Sequence, residues 1–317
     1  MIRIIEWNYQ GAFRLKNRYI LDLCPDILIV AECEKEHILQ FGKLTPPPND
    51  FIWYGDSNKG IAIFSYSGFK LRRLKEFNPN FRYIIPIEVY DDARSFLLFA
   101  VWAKDDRWNP LVSYIGQVWG AINYYKTILQ ENSILMGDFN SNRIWDGKER
   151  IGNHSDIVCF LKRFGIESLY HKQHNEEQGQ EKLKTFFMHR NISKPYHIDY
   201  VFASDRITRN GYNLTLGTPQ DWIDKSDHIP LILDINAFES KLNFENTFYD
   251  FVMRNLQRLT NITQTRYNEE ISLLKDYALN LDTKEYDVDK AFALIDKIET
   301  LKQIDQLSGK FIDRGLH

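Results

Sequence analysis

The sequence predicts an α/β protein of packed sheets with helices outside them, followed by an all-helical region. Three observations carry this. Short β-rich runs recur at Arg3–Trp7, Ile27–Ala31, Gly60–Ser65, Ser95–Ala103, Ser133–Met136, Ile198–Ala203 and Ile229–Ile235. Between some of them, Arg14–Leu23, Tyr114–Leu129 and Asp156–Phe164 space apolar residues three or four apart, the period of a helix. Strands and helices mixed in this way bury sheet against sheet and leave the helices outside. The third observation is a change near residue 240: all ten prolines fall at or before Pro230, all seven tryptophans at or before Trp222, and only Gly309 and Gly315 follow Gly217.

Beyond residue 240 the pattern is helical throughout. Phe248, Phe251, Val252, Leu256 and Leu259 share one face; Ile271, Leu274, Ala278 and Leu281 share another. Ala291, Leu294, Ile295, Ile298, Leu301 and Ile304 form a third stripe, with Asp287 placed to cap its helix. Such stripes predict a helical hairpin that docks on the preceding domain or self-associates, or an arm that recognises a protein partner or the substrate.

At 317 residues and 44% hydrophobic content, the chain can bury one large core plus a small appended unit. The longest apolar run, Phe96 to Ala103, is far short of a membrane span, and Glu6 interrupts the apolar N-terminus. A cytoplasmic protein without a membrane partner is expected. The formal charge of −3 gives no global pull towards nucleic acid, although a local basic cleft can still hold phosphates. Cys24, Cys33 and Cys159 are odd in number and form no CxxC pair, so they are expected as buried small hydrophobes.

Chemistry gathers at the ends of the strand-like runs. Glu32 directly follows Asp26-Ile-Leu-Ile-Val-Ala31, where a carboxylate suits a hard cation that takes oxygen ligands. In Gly137-Asp-Phe-Asn-Ser141 an extended backbone would place Asp138 and Asn140 on one side and Phe139 in the core. A carboxylate that orients water beside an amide that steadies a phosphate suits hydrolysis. In Ser226-Asp-His228, the histidine can move a proton or donate to a phosphoryl oxygen, and Asp227 can ligate metal. His197 and Asp199 share one face of a mainly apolar strand, where a carboxylate is costly unless paired; His228 is the partner expected. Asn8, after Ile4-Ile-Glu-Trp7, reads by itself as a turn former.

In order, Trp7-Asn8, Glu32, Lys59-Gly-Ile-Ala-Ile-Phe-Ser65, Gly137-Asp-Phe-Asn140, Ile198-Asp-Tyr-Val-Phe202 and Ser226-Asp-His-Ile-Pro230 resemble the successive motifs of the endonuclease/exonuclease/phosphatase superfamily, the deoxyribonuclease I-like proteins. The resemblance covers residues 1–239 and implies a four-layer α/β/β/α sandwich with its site at one edge, as a catalytic domain, with 240–317 as a helical extension. It implies Asn8 as a phosphate- or metal-contacting residue, Glu32 as principal metal ligand and Asp227 as a metal-site carboxylate. Asp138 and Asn140 match the water-orienting pair, Asp199 the support of the histidine, and His228 that histidine. One departure stands out. Many members carry histidine or tyrosine where this chain has Trp102, and an indole N–H cannot protonate a leaving oxygen. Trp102 is then a packing residue or a stacking surface for a base, and leaving-group stabilisation passes to the metal, Lys104 or Tyr114.

The reaction these features imply is in-line attack of water on a phosphodiester, with Mg²⁺, or Mn²⁺ in its place, at Glu32. A nucleic acid, DNA rather than RNA, is the expected substrate. Arg143, Lys148 and Arg150 follow the Asp138 motif with Trp145 among them, and Lys182, Lys184, Arg190 and Lys194 precede Asp199. The alternatives are a phosphatase or phosphodiesterase on lipid head groups or small esters, and a silent binding module. His171 and His174 have HxxH spacing but no further ligands nearby, so a polar loop is expected there; Asn153-His154 is expected to start the helix near Asp156.

Overall fold

Why the β-rich runs become strands is visible in their periodicity. In β1 (Ile2–Asn8), Ile2 and Ile4 join a core that also holds Ile85, Leu98, Ala100, Ile134, Met136 and Val201, whereas Ile5 and Trp7 join a second cluster with Phe13, Ile20, Leu28 and Val30. Residues two apart share a face, so the strand is apolar on both faces because both are covered. Each aliphatic side chain fully buried this way contributes about 1.5–3 kcal/mol.

The computed structural model describes residues 1–106, 113–129, 132–147, 152–238, 242, 272–273 and 293–298. By its internal contacts the chain divides into two units, Met1–Leu242 and Asn243–His317. The first contains β2 (Ile27–Glu34), β3 (Asp50–Asp56), β4 (Lys59–Ser65), β5 (Lys70–Arg73), β6 (Ile84–Tyr90), β7 (Ser95–Trp102) and β8 (Ser133–Asp138) after β1. These are followed by β9 (Ile166–Ser168), β10 (Phe186–Phe187), β11 (Pro195–Tyr196), β12 (Asp199–Ser204), β13 (Tyr212–Leu216) and β14 (Leu231–Ile235). One six-stranded sheet has the order β13-β14-β1-β2-β4-β3, the other β5-β6-β7-β8-β12-β9, and β10 pairs with β11.

The inter-sheet core joins the inward faces of both sheets. Helix Phe13–Leu21 covers the outside of the first sheet through Phe13 and Ile20. Helices Ile115–Tyr124 and His154–Arg163 pack against each other and against strands of the second sheet. The result is the expected α/β/β/α layering. Asn153 caps the latter helix in a reciprocal capping box with Asp156. Strands β3, β5, β6, β9, β10, β11 and β13 have no counterpart among the β-rich runs: most are short or lie half-buried at a sheet edge, whereas β6 is buried but carries Pro86.

Among the described residues no helix is long and apolar enough to cross a membrane. In the second unit, residues 293–298 are helical with Ile295 and Ile298 buried, two members of the third stripe. The other expected stripes, the cap at Asp287 and any partner-binding role lie outside the described residues. The cysteine expectation fails in part: Cys33 is buried, but Cys24 and Cys159 are exposed. Cys24 sits at the turn after the first helix with φ 53°, and Cys159 lies on the outward face of the helix capped by Asn153.

Candidate active site

Strand polarity brings the separated motifs together. β1 and β2 run parallel, as do β7 and β8, while β14 is antiparallel to β1 and β12 to β8. The last residues of the parallel strands and the first residues of their antiparallel neighbours therefore share one edge. The β8–β12 register sets Asp138 directly opposite Asp199, two carboxylates on one face. Across the gap between sheets, the Asn8 amide Nδ2 donates to Asp138 Oδ2 at 3.1 Å.

Asp138 is fully buried and held by three donors. Besides Asn8, Asn140 donates its side-chain Nδ2 to Oδ2 at 2.9 Å and its backbone N–H to Oδ1 at 2.8 Å. A carboxylate offers about four acceptor sites, so roughly one remains for a water or a phosphate-bound group. Asn140 reaches this place by an unexpected route. Its φ of 45° is left-handed rather than extended, so a turn, not strand alternation, folds its amide back onto Asp138 while Phe139 enters the core. Gly137 makes the approach of β8 to β7 possible: a Cβ there would lie 1.9 Å from the Val101 carbonyl oxygen.

His228 Nδ1 faces both Asp199 oxygens, at 3.0 and 3.1 Å, and Nε2 lies 3.9 Å from Asp138 Oδ2. The histidine backbone is fixed as well. Trp7 Nε1 donates to its carbonyl at 2.7 Å, and Ser226 Oγ accepts its N–H while donating to the Asn8 carbonyl at 2.6 Å. Phe186 packs on the ring at 4.7 Å. Burial disfavours an imidazolium, but Asp199 and then Asp138 outweigh it and push the His228 pKa up to about 10. Burial, then the Asp199 charge, raises Asp138, while His228 and the amide donors offset part of that. These groups share protons as a unit.

A third carboxyl lies beneath them. Glu6 continues the inward series Ile2, Ile4 of β1, is fully buried, and neither of its oxygens has a hydrogen-bond partner. Burial first, then Asp199 and Asp138, raise its pKa well above the carboxylate range. In the sequence Glu6 marks only a break in an apolar run. Its signal was available: a charge at an inward position of a strand apolar on both faces needs a reason.

The rim is organised differently. Glu32 stands at a bulge between Val30 and Cys33, with φ 57°, and its Oε2 lies 2.6 Å from Lys59 Nζ. Asp227 accepts from Gln10 Nε2 at 3.0 Å, and Arg190 donates to Gln10 Oε1 and to the Asp224 carbonyl. Among the described residues, the convergent group able to hold a metal ion is Asp138, Asp199 and His228, with ligand atoms within 4.8 Å of one another. The expected ligands Glu32 and Asp227 are not in it. Two carboxylates and an imidazole are a reasonable donor set for a divalent ion. Yet a protonated imidazole has no lone pair to give, and Asp199 already accepts from it. Glu32 offers hard oxygens and already carries a cation, the Lys59 ammonium, so it suits Mg²⁺ better.

The expected substrate-contacting residues separate. Trp102 is 5% exposed, packs at 4.6 Å on Tyr83 and belongs to the inter-sheet core, so it is a packing residue and not a stacking surface. Lys104 is exposed with its ammonium 5.3 Å from the Trp102 ring centre, and its carbonyl accepts from the Tyr114 N–H. Tyr114 is 42% exposed, and burial, then Asp105 and Asp138, raise its pKa. Arg143 is exposed on the short helix Arg143–Trp145. Lys148 and Arg150 lie outside the described residues. Of the second basic cluster, Lys182 faces Glu176, Lys184 donates to the Glu181 carbonyl, and Arg190 is engaged as above.

The HxxH segment is no polar loop. It forms helix Leu169–His174, and His171 bonds to Glu181 at 3.0 Å within a largely buried network. Asn142 extends this network to the site. Its amide donates to Glu181, to the His197 carbonyl and to Tyr200, tying the Asp138–Asn140 turn to the start of β12.

An α/β/β/α sandwich with acid, amide and imidazole groups at one edge defines a class of fold. Its solved counterparts belong to the endonuclease/exonuclease/phosphatase superfamily, and this chain has that deoxyribonuclease I-like fold. A 3'-5' exonuclease from Neisseria meningitidis is 18% identical, with 74% of this chain and 100% of that one covered at a TM-score of 0.53. An AP endonuclease from Archaeoglobus fulgidus is 16% identical over 75% of this chain and 100% of its own, at 0.54. Truncated TDP2 from Caenorhabditis elegans is 14% identical over 74% and 98%, at 0.53. No protein-family model and no curated protein matches the sequence.

Proposed function

We propose that the chain is a divalent-metal-dependent phosphodiesterase that hydrolyses nucleic acid, DNA in preference to RNA. The observation that carries this reading is the hydrogen-bonded set Asn8–Asp138–Asn140 facing His228–Asp199, gathered from four separated stretches at one edge. Structural neighbours described as an exonuclease, an AP endonuclease and TDP2 support it as fold-level analogy.

In this reading Asp138, fixed by its three donors, uses its remaining acceptor site to orient the attacking water. His228, kept protonated by Asp199, donates from Nε2 to a phosphoryl oxygen as charge develops there. Asn8 and Asn140 hold the carboxylate and keep it from rotating. Glu32, with Asp227, would hold Mg²⁺, which supplies charge neutralisation on the leaving side. Lys104, Tyr114 and Arg143 are assigned to the substrate's flanking phosphates. The activity belongs to residues 1–239, in the cytoplasm, and leaves the helical extension outside the chemistry.

The test is to incubate wild type and Asp138→Ala with single- and double-stranded DNA, RNA, abasic DNA and an inositol phosphate, with and without Mg²⁺. DNA cleavage that needs the metal and vanishes in the variant is the expected result. Rates should also fall steeply with added salt, as polyanion binding demands. Turnover of the inositol phosphate alone, insensitive to salt, would overturn the substrate assignment.

A further inference from the structure

We propose that Lys59 is a built-in competitor for the metal at Glu32, so that metal binding is an exchange of one cation for another. The inference rests on the reading that Glu32 holds the ion. Between Val30 and Cys33 the bulge gives β2 one more residue than β4 opposite it, and Glu32, with φ 57°, turns out of the ladder towards the first residue of β4. That residue is Lys59, with Nζ at 2.6 Å from Glu32 Oε2. Two cations on one carboxylate repel each other, so a dication at Glu32 competes with the ammonium. The displacement is cheap in solvation, because the Lys59 side chain is 53% exposed and rehydrates as it leaves.

The surroundings determine where the ammonium goes. Gly11, with φ +79°, follows Asn8 by three residues, and a Cβ there would lie 3.6 Å from Lys59 Nζ. Lys59 thus lies against Gly11, where no side chain stands between its ammonium and the turn. Once released from Glu32, it remains on that rim as a positive charge with water or a substrate phosphate as partner. The exchange couples the two ligands: the ion that occupies Glu32 frees a cation for the polyanion.

The test measures Mn²⁺ binding to the full-length protein, without substrate, by the loss of the free-ion EPR signal and by calorimetry. Lys59→Met should bind about fivefold more tightly than wild type, the scale of removing one exposed ion pair. Lys59→Arg, which keeps a competing cation, should stay near wild type. Glu32→Gln should weaken binding in both backgrounds. Lys59→Met binding equal to or weaker than wild type, with Glu32→Gln still weakened and thermal melts unchanged, would overturn the exchange alone. Unchanged binding in Glu32→Gln would overturn the placement of the metal and the exchange with it.

Discussion

The two sheets share one hydrogen-bonding plan, antiparallel pairs flanking a central parallel pair, yet they end in opposite chemistries. In the first sheet the parallel pairing ends at Asn8 and Ala31, and Glu32, the next residue of β2, reaches a solvated rim where Lys59 neutralises it. In the second it ends at Trp102 and Asp138, both buried, and Asp138 is neutralised by amide dipoles and an imidazolium. The difference teaches that burial, not residue type, separates two carboxylates that stand where the parallel pairing of each sheet runs out. A rim carboxylate can exchange one cation for another. A floor carboxylate is desolvated, so its proton affinity and orientation are controlled by the protein.

The comparison breaks first at the floor. Asp138→Ala should lower kcat on the preferred substrate by about 10³-fold or more, with a native circular dichroism spectrum; a loss under tenfold would remove Asp138 from the chemistry. Gly137→Ala tests how the floor is built. Its Cβ would meet the Val101 carbonyl, so unfolding free energy in urea should fall by about 3 kcal/mol or more, and a loss under 1 kcal/mol would show that the strands can part.

Asp199→Asn should lower kcat by about 10²-fold. It should also move the alkaline limb of the pH–rate profile, which wild type places near the His228 pKa of about 10, down towards the ordinary histidine range. A raised histidine pKa stabilises the folded state fully below its unfolded value near 6.5, and that contribution is lost as pH rises through the folded value. Wild-type stability should therefore decline over that alkaline window more than Asp199→Asn stability does, as followed by thermal melts.

Glu6→Gln has the opposite logic. Its raised pKa means the folded state holds a proton that the unfolded chain releases, so Glu6 costs stability increasingly as pH rises above about 4.5. The variant should gain about 1–2 kcal/mol over wild type at pH 8 and little at pH 4, and a pH-independent difference would show that Glu6 is not the source. The smallest effect belongs to the rim. Lys59→Met should change unfolding free energy by less than about 1 kcal/mol, since exposed ion pairs contribute little to stability.

Much of the site was legible as residues but not as geometry. Asp199 was expected to pair with His228 because a carboxylate on an apolar strand needs a partner, and the two meet at 3.0 Å. Asn140 was expected beside Asp138 for the wrong reason, since the left-handed turn that joins them leaves no periodic trace. In the sequence Glu6 is only a break in an apolar run and Lys59 only the first residue of a strand motif: one matters through what buries it, the other through a bulge in a neighbouring strand. Trp102 could be read as stacker or packer, and only its place between the sheets decides for packing.

By itself the sequence determined the layered α/β class, most of the central strands, and the order of acids, amides and imidazole along the chain. Those follow from local rules, the two-residue period of strands and the 3.6-residue period of helices, which a single segment carries within itself. Tertiary structure alone decided which carboxylate is floor and which is rim, and which cation each one meets. Charge state depends on desolvation and on neighbours distant in sequence, and neither exists until the two sheets have closed on each other.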